Sequence, residues 1–176
     1  MALITLDEVK EFLRITDPQD DVLLQSLIDG TEAQVKKYVN NAIEKETSIT
    51  EYFNIDRKQR RIYTKYFPIS NVKVYENNTL LTENTDYVVD YNSGLITRIH
   101  AYFAYGYQIV KVVYDAGYDT IPDDIKLAVK IQVAFYYQRK DQIGIAGQSL
   151  EGSINITEKY GLLDTVKEML DKYKGF

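Results

Sequence analysis

The chain of 176 residues has no cysteine, no tryptophan, a single histidine and three prolines. Without thiols it can form no disulfide, offer no thiolate nucleophile and bind no metal through cysteine. One imidazole, His100, leaves no histidine cluster for zinc or iron. No apolar run is long enough to cross a bilayer, and Asp7 and Glu8 stand where a signal peptide would carry its apolar core. A soluble protein made in a cytoplasm, with no membrane partner and no cofactor, is therefore expected. Positive charge is scarce as well: 21 Lys and Arg against 26 Asp and Glu give a net charge of -5, which opposes tight binding to nucleic acid. The acidity is concentrated in residues 1–46, with 5 basic and 10 acidic groups; residues 47–118 carry 8 and 7, and residues 119–176 carry 8 and 9.

What is present is enough apolar material, 45% of residues, for a sizeable core in one domain or one domain with an insertion. The chain is organised around Ile109–Lys140. Val110, Val112 and Tyr114 share one parity, the period of two of a strand, while Ile109 and Val113 keep the other face from being fully polar. Ala116-Gly117-Tyr118-Asp119 breaks the strand. A helix is predicted from about Pro122, where a missing N–H is no loss, with Asp123 and Asp124 favoured by the positive end of the helix dipole. That helix is apolar on most of its circumference, with a polar strip limited to Asp123, Lys126 and Lys130, so it needs cover on several sides. A neighbouring subunit is one source of cover.

Upstream, Thr5-Leu6-Asp7-Glu8 has the form of a capping box and opens a short helix with Leu6, Val9, Phe12 and Leu13 on its apolar side. A second helix is predicted with Asp17 as cap and Pro18 at its first position. Leu24, Leu27, Ile28, Thr31, Val35, Tyr38, Val39 and Ala42 form its apolar stripe, and Glu32 and Lys36 fall opposite as an i,i+4 pair. Gly30 inside this pattern marks a close helix contact or a slight bend. From about Ser48 the period changes to two, and short strands around Ile49, Val72, Val88 and Ile96 are separated by Asn77-Asn78 and Asn92-Ser93-Gly94. They predict an antiparallel meander of four to six strands closing at Ile109. Eleven of the 16 tyrosines fall between Tyr52 and Tyr118, as half-buried strand faces require. Beyond Lys140, QIGIAGQSLEGSINIT reads as a long loop, and a last amphipathic helix follows Gly161. The fold class expected is α+β: an α-helical bundle or hairpin of N- and C-terminal helices (1–46, 119–143 and the end of 144–176) with an antiparallel β domain inserted at 47–118.

Catalytic patterns are missing. Gly144 to Ser149 has glycine spacing but lacks the Lys-[Ser/Thr] of a P-loop, the serines lie in no nucleophile elbow, and His100 reads as a rim residue. Arg57, Lys58, Arg60, Arg61 and Lys65 form the one dense basic run, either a solvated strand pair and turn or a contact for DNA backbone or an acidic partner.

Three segments in order carry a resemblance: ITLDEVKEFLRI with DDVLLQSLIDGTEAQVKKYV, the joint KVVYDAGYDTIPDDIKLAVKIQVAFYYQR, and a C-terminal helix after a glycine-rich loop. Together they resemble the head-tail connector (head-completion adaptor) proteins of tailed bacteriophages, over about residues 1–45 and 107–176, most specifically in Y-x-A-G-Y-x-x-I-P-x-D-I-K. The middle matches only as a β-rich insertion. The resemblance implies a structural virion protein of the neck, present in the host cytoplasm during assembly, that forms a ring, typically a dodecamer, below the portal. Such a ring extends the channel for passing double-stranded DNA and presents a docking face for a stopper or tail-completion protein. It further implies that the Pro122–Lys140 and Asp17–Asn41 helices make the bundle and subunit contacts, the latter through Leu127, Ile131, Phe135 and Tyr136, and that residues 144–176 dock on the portal, with Tyr160, Leu163, Val166, Leu170 and Tyr173. The competing readings are another neck component, a stopper or tail-completion protein, and a DNA-binding packaging accessory using Arg57 to Lys65. An enzyme is the weakest, having no convergent polar pocket to draw on.

Overall fold

The structure, a computed structural model, describes residues 2–140 and 161–175. In chain order these form helices α1 (Leu6–Leu13) and α2 (Asp21–Val39), strands β1 (Glu46–Ile55), β2 (Arg61–Tyr63), β3 (Ile69–Glu76), β4 (Thr79–Leu80), β5 (Tyr87–Asp90), β6 (Leu95–Arg98) and β7 (Gly106–Ala116), then α3 (Asp123–Gln138) and α4 (Asp164–Leu170) with a closing 3-10 turn, Asp171–Tyr173. The class is mixed α+β, as expected. Two compact units divide the chain: a helical one from the described residues of Met1–Val39 and Pro122–Lys172, and a β unit from Asn40–Ile121 with Tyr173–Phe176. Tyr173 belongs to the β unit because its ring packs edge-on against Tyr118 at 5.9 Å and its carbonyl accepts from Asn41 Nδ2 at 3.0 Å.

In the helical unit, α1 begins with the capping box read from the sequence: the Thr5 hydroxyl accepts from the Glu8 amide, and the Glu8 carboxylate accepts from the Thr5 amide. The start of α2 differs from expectation. Asp17 Oδ1 accepts from the Gln19 amide and Asp21 N–H donates to Pro18 O, so Asp17-Pro18 closes a turn of its own and the helix begins four residues later than the proposed cap. Glu32 also departs from its expected outward position. It is buried, and its Oε1 accepts from the amides of Leu3 at 2.7 Å and Ile4 at 3.1 Å, satisfying the N-terminal segment's otherwise orphaned donors. Gly30 is exposed, and a Cβ built on it would meet nothing within 4 Å, so no close contact within the described chain requires glycine there.

α3 is covered on several sides, as its composition demands. Ile125, Ala128, Val129, Gln132 and Val133 are buried, while Lys126 and Lys130 turn to Glu8 of α1 at 3.4 and 3.8 Å. Pro122 stands at the N-cap position rather than inside the first turn, a shift of one residue. At the other end, Asp20 Oδ2 accepts from Tyr137 Oη at 2.5 Å and Lys140 Nζ at 2.8 Å, which hold its carboxyl below the usual range.

Glu8 is likewise held below the usual carboxylate range, first by the Thr5 amide and further by Lys126 and Lys130, with desolvation acting in the opposite sense. A carboxyl whose pKa is depressed by folding contributes stability above its unfolded value, here 4.5, and that contribution is lost as the pH falls through the folded value. Glu8→Gln is expected to melt below the wild type at about pH 7 and to converge with it in acid, once the pH has fallen below the depressed carboxyl value, a pattern that thermal unfolding against pH will read.

The β unit departs from a single meander. Its strands form a four-stranded sheet in the order β1-β7-β3-β4 and a three-stranded sheet in the order β2-β6-β5, with every strand pairing within them antiparallel. β7, the longest strand, sits between β1 and β3, which is why Val110, Val112, Tyr114 and Ala116 are buried and the alternate residues half-buried. Asn77 and Asn78 both take positive φ in the β3–β4 turn, and Gly94 does so before β6. One apolar core joins the sheets: Ile55, Val72, Val74, Val110, Val112 and Tyr114 from the larger meet Ile62, Tyr87 and Ile96 from the smaller, with Phe103. The buried phenol of Tyr114 donates to Glu51, and burial followed by that bond pushes its pKa up.

Candidate assembly surfaces

The outer side of α3 is assembled by exclusion. A helix turns about 100° per residue, and the positions used against the rest of the bundle leave a remaining stripe of Asp123, Leu127, Ile131, Ala134 and Gln138. Leu127 is 42% exposed, Ile131 and Phe135 are half-buried, and Arg139 stacks over the Phe135 ring at 4.3 Å. Tyr136 has a different position: its hydroxyl lies 2.9 Å from Gln34 Oε1 and 3.1 Å from the carbonyl of Gly161, both within the same unit. Of the four residues assigned to subunit contact, Leu127 and Ile131 thus share an outward stripe, Phe135 flanks it, and Tyr136 serves the protomer's own packing.

The C-terminal residues divide similarly. Val166 and Leu170 are fully buried in the helical unit, so the apolar side of α4 is taken up by its own bundle instead of being left for a partner. Leu163 is half-buried and its amide donates to Gln132 Oε1 at 2.8 Å. Tyr173 belongs to the β unit, and Tyr160, like Gly144 to Ser149, lies outside the described residues. Gln132 was not singled out by sequence reasoning. It is fully buried, and its Nε2 also donates to Gly161 O at 3.3 Å, so one amide fixes the approach to α4. The available signal was a lone glutamine inside an otherwise apolar run.

The basic run lies at the β1–β2 connection. Arg57, Lys58, Arg60 and Arg61 are all exposed, and Lys58 Nζ and the Arg60 guanidinium lie 4.4 and 4.7 Å from the ring centre of Tyr102. The structure thus gathers Lys58 and Arg60 on one aromatic ring, while Arg61 belongs to β2 and pairs with Thr97. His100 is exposed at a positive φ of 57°. Among the described residues, no group of acidic or histidine side chains is arranged to hold a metal ion, and no helix is long and apolar enough to cross a membrane.

A family model described as head completion protein matches residues 2–176. The chain belongs to the head completion protein family. Among solved structures, this head completion protein shares its fold with a chain of the "Neck of empty GTA particle computed with C6 symmetry", at a TM-score of 0.55 and 15% identity, over 99% of this chain and 90% of that one. A chain of the "Neck of native GTA particle computed with C12 symmetry" matches at a TM-score of 0.54 and 15% identity, over 97% and 88%. A comparison with curated proteins finds no significant match.

Proposed function

We propose that this head completion protein is a structural subunit of a phage-type neck, an adaptor that forms a ring beneath the portal, continues the DNA channel and offers the docking face for a stopper or tail. The observation that carries the reading is the family match along nearly the entire chain. Three others support it. The fold is similar to chains from necks reconstructed with C6 and C12 symmetry; α3 leaves an apolar outer stripe headed by Leu127; and the net charge of -5 suits a conduit through which DNA slides without sticking. Helices that bracket the β unit favour an adaptor over a mainly β stopper. The role is architectural and requires no catalysis.

The second reading, a DNA-binding accessory of packaging, draws on Lys58 and Arg60 flanking Tyr102 beside exposed Arg57. In vitro complementation separates the two. Phage lacking this protein is expected to yield DNA-filled, tailless heads that accept tails once the purified protein is added. Tailed particles forming without it, or a defect confined to DNA entry, would overturn the adaptor reading.

A further inference from the structure

The ring reading leaves open which surface of the next subunit meets the α3 stripe. We infer that it is the outer face of α2 of a second copy, in an antiparallel helix crossing that sets Asp123 against Lys37. This deepens the reading above and depends on it.

α2 and α3 pack together in the helical unit through their buried stripes, Leu24, Ile28, Thr31 and Val35 on α2 and Ile125, Ala128, Val129 and Val133 on α3. Their opposite faces therefore point away from one another, which is the disposition a closed ring needs, since a head-to-tail contact joins two different patches on opposite sides of one subunit. The α3 face carries Leu127 and Ile131. The α2 face at the same depth carries Gly30 and Ala33, both exposed, with open space above Gly30. Large side chains on one face and small ones on the other are complementary in shape.

Charge sets the direction. Asp123 and Lys37 are exposed, lie on these outer faces, and make no ion pair within the described residues. Four residues separate Asp123 from Leu127 and four separate Lys37 from Ala33, about 6 Å in each helix. An antiparallel crossing with Asp123 opposite Lys37 therefore brings Leu127 over Ala33 and Ile131 over Gly30. A parallel crossing would leave the two charges at opposite ends. Glycine in a helix interior costs roughly 1 kcal/mol against alanine, and the protomer's own packing gives no return for Gly30; close approach of a neighbouring Ile131 does.

The absence of cysteine makes the test direct. The full-length Ala33→Cys/Leu127→Cys variant, with and without the cognate portal ring, is oxidised mildly and run without reductant, while light scattering reports its mass. A ladder of covalent multimers is expected from the double variant. An equal mixture of the two single variants should give dimers of the mixed kind only. Gly30→Leu, which has room in the protomer, should melt no lower than the wild type and yet need a roughly tenfold higher concentration to assemble. Lys37→Asp should weaken assembly, and adding Asp123→Lys should restore it. Rings that form without the ladder would overturn this contact and leave the ring reading standing. Dimers from Leu127→Cys alone would overturn it in favour of a two-fold contact. A monomer that neither assembles nor cross-links, even with portal present, would overturn both.

Discussion

Replacing Gly117 by valine is expected to cost the β unit at least about 3 kcal/mol, a large share of the about 5–15 kcal/mol that holds a domain folded. Gly117 has φ +91°, which disfavours side chains, but close approach is the stronger reason. A Cβ placed there would lie 2.2 Å from the carbonyl oxygen of Glu44 and 2.7 Å from its carbon, and backbone cannot swing aside as a side chain can. The surroundings are fixed by hydrogen bonds from Gly117 N–H to Pro68 O at 3.0 Å and from Tyr118 N–H to Ile43 O at 3.2 Å. The glycine of the A-G-Y joint is thus where the strand end is pinned to two other segments of the β unit. Gly117→Asn discriminates the causes, because asparagine tolerates positive φ yet still carries a Cβ. It should be nearly as damaging as valine in urea unfolding followed by far-UV circular dichroism, and a fully stable asparagine variant would refute the close-approach account.

Arg98→Met is expected to cost about 3–5 kcal/mol, the usual effect of removing one partner of a buried ion pair. Arg98 on β6 reaches Glu76 Oε2 on β3 at 2.8 Å, with both side chains largely buried, so the pair ties the smaller sheet to the larger. Arg98 also donates to Asp86 O at 3.2 Å, and Glu76 Oε1 accepts from the Ala104 amide at 2.8 Å. Removing the guanidinium strands a carboxylate that is 15% exposed. Arg98→Met with Glu76→Leu should recover most of the loss, because no charge is then left buried without its partner. With no tryptophan present, tyrosine fluorescence can follow the unfolding. A loss below about 1 kcal/mol would mean that the pair behaves like an exposed one.

Features written by neighbouring residues were the legible ones. The Thr5–Glu8 box, the Asn77-Asn78 turn and the alternation of Val110, Val112 and Tyr114 each depend on a few consecutive residues, and each is present in the structure. Features that depend on a distant partner were not. Glu32 fits an outward i,i+4 pattern until the amides of Leu3 and Ile4, 29 and 28 residues away, are known to need an acceptor. Five of the seven strands were legible, β2 and β4 with 3 and 2 residues being too short to show an alternation; which strands pair is decided by the shared core, and it divides them into two sheets. The assembly surfaces show the same limit. Apolar spacing marks Leu127, Ile131, Val166 and Leu170 alike, and only packing separates the first two, turned outward, from the last two, consumed by their own bundle. The family was legible because its signature is an ordered set of local patterns, matched over residues 2–176.

The central claim, that this head completion protein acts as a ring-forming adaptor, is tested most directly by measuring the mass of the purified full-length chain by light scattering, alone and mixed with the cognate portal ring. A closed ring, or a monomer that joins the portal in a fixed high stoichiometry, is the result expected. A monomer that ignores the portal and binds duplex DNA with a steep salt dependence would contradict it, and would move the function to Arg57, Lys58 and Arg60.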